Sequence, residues 1–71
     1  MTTKTTEIIT ILNSITAPLY RNGRSGRMIE AVAATAGPEA AEEEAIARLN
    51  NVTVGLLSTN KAALQWLTDN A

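Results

Sequence analysis

Three arginines spaced three residues apart, Arg21, Arg24 and Arg27, carry most of the chemical character of this chain. Gly23 and Gly26 alternate with them, Ser25 lies between, and Tyr20 leads in. A guanidinium grips phosphate or carboxylate through two parallel N–H bonds. Glycines let backbone amides turn toward an anion, and a helix start just beyond adds its own orphan N–H groups. Tyr20 offers a ring face on which a base could stack. The expected ligand-binding set is therefore Tyr20, Arg21, Arg24, Ser25, Gly26 and Arg27. Its ligand would be a phosphate-bearing small molecule such as a nucleotide, or an acidic protein surface. The competing reading makes the segment a solvated loop whose arginines pair with the carboxylates of Glu39, Glu42, Glu43 and Glu44. The spacing matches neither a Walker loop nor a dinucleotide fingerprint, so the motif names no particular ligand.

Composition excludes more than it assigns. The 71 residues include no histidine and no cysteine. The usual general base, thiolate nucleophile and soft metal ligand are thus absent, and Ser25 has no imidazole to activate it. Glu42, Glu43 and Glu44 are consecutive, so on a helix they point in three directions rather than around one cation. Glu44 and Arg48 instead have the spacing of an i,i+4 ion pair. We expect no enzyme, no metal and no cofactor. A net charge of −1 and a pI near 5.2 disfavour nucleic acid as a partner. No apolar run approaches the ~20 residues that cross a bilayer. The first residues, Met1 to Glu7, lack both the basic and the continuous apolar parts of a secretory signal. The cytoplasm is the expected location.

What must position the arginines is a set of helices. Pro38 is placed as a first-turn proline, with Glu39 and Glu42 to Glu44 against the positive end of a helix dipole. Beyond them Ala45, Leu49, Val52, Leu56, Ala63 and Trp66 recur at helical spacings, which predicts one long helix over 38–68. Asn50 to Thr59 is poor helix material, with Gly55 inside it, so a kink is expected near 55–60, and a short strand is the rival there. Upstream, Ile8, Leu12, Ile15 and Leu19 step by four, three and four. They predict a first helix over 6–17, capped by Thr5 or Thr6, behind a frayed tail at 1–5. Pro18 disfavours helix at Ala17. The glycine-bearing stretch 18–26 reads as a basic loop. Ser25 then caps a second helix at 27–36, buried along Met28, Ile29, Val32 and Ala36, which Gly37 ends.

The expected fold is all-α: a small helical hairpin of about three helices with one long C-terminal helix, completed by oligomerisation. A chain this short buries only roughly 60–65 % of its unfolded surface. With no disulfide, no zinc site and no phenylalanine, self-association would supply the missing core. Leu49, Val52, Leu56, Leu64 and Trp66 are the expected oligomer interface. The expected function is a non-enzymatic, self-associating binding protein that presents the arginine loop to an anion. The alternative is a small structural, assembly or inhibitor protein acting through helix-mediated contacts, with the loop incidental.

Overall fold

The computed structural model describes residues 1–14, 23–54 and 61–70. Within them the chain forms four helices and no strand: α1 Thr3–Asn13, α2 Arg24–Ala36, α3 Pro38–Val54 and α4 Lys61–Asp69. The all-α expectation is met, but with four helices in place of about three. The expected long helix over 38–68 does not form as one rod. α3 ends at Val54, and α4 packs back against both α3 and α1. A straight rod cannot make those contacts. The expected kink near 55–60, and Leu56 with it, lie outside the described residues.

α1 begins earlier than the residue pattern suggested, and the expected frayed tail is part of it. Thr2 is the N-cap: its Oγ1 accepts from the Thr5 backbone N–H at 3.1 Å. That satisfies one of the orphan amides every helix start exposes. Thr5 is fully buried, and with Ile8 and Leu12 it forms a face stepping by three and four. The described helix stops at Asn13, so the expected extension to 17 falls outside the described residues.

α2 and α3 meet at one residue. Gly37 adopts φ 94°, ψ 170° and donates its N–H to the Ala33 carbonyl at 3.2 Å, closing α2. Backbone in that region is essentially reserved to glycine. Pro38 then opens α3, where its missing N–H costs nothing. Glu39 stands in the first turn of α3, against the positive end of the dipole.

The core collects Ile8, Ile9 and Leu12 from α1, Ile29 from α2, Ala41, Ala45, Leu49 and Val52 from α3, and Ala63 and Trp66 from α4. The alanines on α3 let neighbouring helices approach its backbone closely. α1 and α3 each pack against every other helix, whereas α2 and α4 do not touch. The central pair is thus flanked by α2 and α4. The Cα radius of gyration is 11.2 Å, matching the ~11 Å of a compact domain this long. No helix among the described residues is long and apolar enough to cross a membrane.

Candidate functional site

The arginine segment turns out to be mostly helix. α2 starts at Arg24, so Arg24, Ser25, Gly26 and Arg27 are its first turn rather than a loop up to 26 followed by helix from 27. Gly23 is the N-cap, in the left-handed region at φ 67°, ψ 26°. Ser25, expected in the capping role, is inside the helix and only 5 % exposed. Tyr20 and Arg21 lie outside the described residues.

One contact explains why the turn faces this way. A Cβ built on Gly26 would stand 3.1 Å from both Ile9 Cγ2 and Asn13 Oδ1. A Cβ on Gly23 would meet Asn13 Oδ1 at 3.4 Å. The two glycines are thus where α2 comes down onto α1. The missing side chain of Gly26 is what lets α1 pack against it. With Ser25 and Gly26 turned inward, the rest of α2 follows. Ile29 is buried and Val32 and Ala33 are partly so, whereas Met28 is 48 % exposed and Ala36 is exposed. This corrects the expected buried face of Met28, Ile29, Val32 and Ala36 by a rotation toward the glycine side.

The same rotation places Arg24 and Arg27 in solvent. Three residues apart on one helix, they are neighbours on its surface. Their setting is electrostatically unusual. The first turn of α2 contains no acidic residue, and Gly23 provides no side-chain cap. Two guanidinium groups therefore sit on the positive end of a helix dipole, where carboxylates are ordinarily favoured by ~0.3–1 kcal/mol each. An anion bound there would meet like-signed attraction from both sources.

The Glu cluster of α3 has other engagements. Glu44 Oε1 accepts from Arg48 Nε at 2.8 Å, the i,i+4 pair its spacing suggested. Glu42 Oε1 accepts from Thr2 Oγ1 at 2.6 Å. Among the described residues, Arg24 pairs with no carboxylate. No three acidic side chains among them gather as a cation site either.

Comparison adds no relative. No family model, curated protein or solved structure matches this chain. The candidate site is thus argued from its own residues.

Of the residues expected at an oligomer interface, Leu49 and Val52 are completely enclosed within the single chain, and Trp66 is 9 % exposed. Their apolar surface is already used within the core of the single chain. Leu64 alone of the described four offers surface, at 44 % exposure. Trp66 Nε1 donates to Glu7 Oε1 at 3.3 Å, joining α4 to α1. Sequence reading missed Thr2 and Asn13 as structural residues and expected Thr5 or Thr6 to cap α1, whereas Thr2 is the cap and Thr5 is buried inside the helix. The one available signal was Thr5, which continues the Ile8–Leu12 face one turn back.

Proposed function

We propose that this chain is a non-enzymatic binding protein whose α2 N-terminus receives an anionic group. One observation carries the reading: Arg24 and Arg27 are exposed on a first turn that has no acidic residue and that follows a glycine N-cap. Both arginines are exposed on the first turn of one helix, at its positive end. A phosphate group or a protein carboxylate would complement both. The absence of histidine and cysteine supports the non-enzymatic part of the reading, and a cytoplasmic setting suits a chain that uses no disulfide.

The test is a thermal-shift titration with inorganic phosphate and a nucleoside triphosphate, on the wild type and on Arg24→Ala. Each charge-assisted contact contributes ~1.5–3 kcal/mol, so removing Arg24 should weaken binding about tenfold or more. If no small anion raises the wild-type melting temperature, the anionic group belongs to a protein instead. If Arg24→Ala binds phosphate as well as the wild type, the site is elsewhere.

A second reading, helix-mediated contact with another protein, draws on the exposure of Met28 and Leu64 on helices at opposite flanks of the molecule. Under it the chain acts in assembly or inhibition, through apolar side chains that its own core does not use.

A further inference from the structure

We propose that α4 is an exchangeable element. In a two-fold dimer, α3 and α4 of each copy run on as one rod, and α4 fills the seat on α1 of the second copy. This goes beyond the anion-binding reading and does not rest on it.

The first observation is one of phase. Leu49 and Val52 are buried on α3, and Ala63 and Trp66, each two heptads further along, are buried on α4. At ~100° per residue, Ala41, Ala45, Leu49, Val52, Ala63 and Trp66 would share an arc of about 100° on one helix. A chain that packs two separate helices on a core puts no condition on their relative phase. A two-fold pair of rods does. Each rod faces its neighbour with one side along its whole length, so both halves must bury that side. This chain meets the condition.

The second observation is electrostatic. α3 has no basic residue in its last turn, and α4 starts on Lys61 with no acidic residue in its first turn. Neither end answers the helix dipole and Lys61 opposes it, whereas Glu39 complements the start of α3. Joining the helices removes both ends at once. Residues 55–60 contain no proline, so none of them forbids helical backbone. Gly55 is the weakest helix former among them.

The third is how α4 is held. It packs on α1 and α3 but not on α2, while α1, α2 and α3 all pack on one another. Its hold on the core is Ala63, Trp66, the partly buried Leu67, and the bond from Trp66 Nε1 to Glu7 Oε1. α4 can therefore leave without separating the other three helices. The α4 of another copy fills the same seat with the same side chains, so exchange conserves the contacts of the closed chain. What remains is the cost of association, which concentration offsets. α2 takes no part, and the dimer carries Arg24 and Arg27 twice.

The test follows one side chain. Trp66 is the only tryptophan and is 9 % exposed, so it meets a label at the exposed position 7 only from within the seat. The chain contains no cysteine. Full-length Glu7→Cys therefore takes a single bimane fluorophore, which tryptophan quenches on contact. Combined with Trp66→Phe, the labelled chain holds no quencher of its own; the same label with Trp66 retained calibrates full quenching. The labelled chain is incubated with excess unlabelled wild type at millimolar concentration, and dimer is separated by gel filtration. Exchange predicts strong quenching in the dimer, because the wild-type Trp66 enters the labelled seat. Gly55→Ala in both chains should raise the dimer fraction several-fold, since alanine favours the rod. Circular dichroism checks that each variant folds. A wild type that stays monomeric at that concentration overturns the proposal, as does a dimer without quenching, which would be joined through another surface. A dimer fraction that Gly55→Ala leaves unchanged overturns the rod. Phosphate binding through Arg24 is measured separately and stands or falls without these results.

Discussion

Thr2 Oγ1 donates a 2.6 Å hydrogen bond to Glu42 Oε1, forty positions along the chain. A hydroxyl has one proton, so the 2.9 Å contact between the Thr2 and Thr5 hydroxyls runs from Thr5 to Thr2. Thr2 Oγ1 then also accepts the Thr5 backbone N–H. One side chain caps α1, satisfies the buried Thr5 hydroxyl and ties α1 to α3. Thr2→Val keeps the shape and removes all three roles. It should lower the unfolding free energy by ~1–2 kcal/mol in urea titration, the range for a lost N-cap. Thr2→Ser should retain most of it.

Trp66 closes α4 onto α1 through burial and through its bond to Glu7. Trp66→Ala should cost ~3–5 kcal/mol, a large share of the stability available to a domain this small. Glu7→Ala removes only the hydrogen bond and should cost ~0.5–1.5 kcal/mol. Trp66 is the only tryptophan, so its fluorescence reports the docking of α4 directly. Glu7→Ala should shift the emission toward longer wavelength if the indole N–H turns to water.

Gly37 and Gly26 should fail for different reasons. A Cβ on Gly37 meets nothing within 4 Å, yet its φ of +94° is strained for any L side chain. Gly37→Ala should destabilise by ~1–3 kcal/mol through backbone strain alone. Gly26 has ordinary helical angles but no room beside Ile9 and Asn13. Gly26→Ala gains up to ~1 kcal/mol of helix propensity, which crowding offsets. Gly26→Val should lose clearly, and Asn13→Ala should partly rescue it, whereas Asn13→Ala should not rescue Gly37→Ala.

Leu49 and Leu64 separate folding from association. Leu49→Ala leaves a cavity in the core and should cost ~2–5 kcal/mol in chemical denaturation. Leu64 is exposed, so Leu64→Ala should change stability by no more than ~0.5 kcal/mol. A larger, concentration-dependent loss for Leu64→Ala would mean that α4 is covered by another molecule in solution.

Helical character, the Gly37–Pro38 corner and the Ala45–Leu49–Val52 stripe were all legible in the sequence, because each rests on local physics. Proline and glycine act on their own backbone angles, and a helical face repeats within a few residues of itself. Which side of α2 is buried was not legible. It depends on Gly26 meeting Ile9 and Asn13, a contact between residues far enough apart that no period records it. The stripe through Ala63 and Trp66 was equally ambiguous. A periodic run reads the same whether the helix continues or the chain turns back and presents the same residues to the same core. Tertiary packing decided for two helices, since α1 offers Trp66 a buried seat and a carboxylate that an extended rod would leave unused. Arg24 and Arg27, finally, were visible as types and spacing, but their exposure followed only from the rotation of α2 that the two glycines permit.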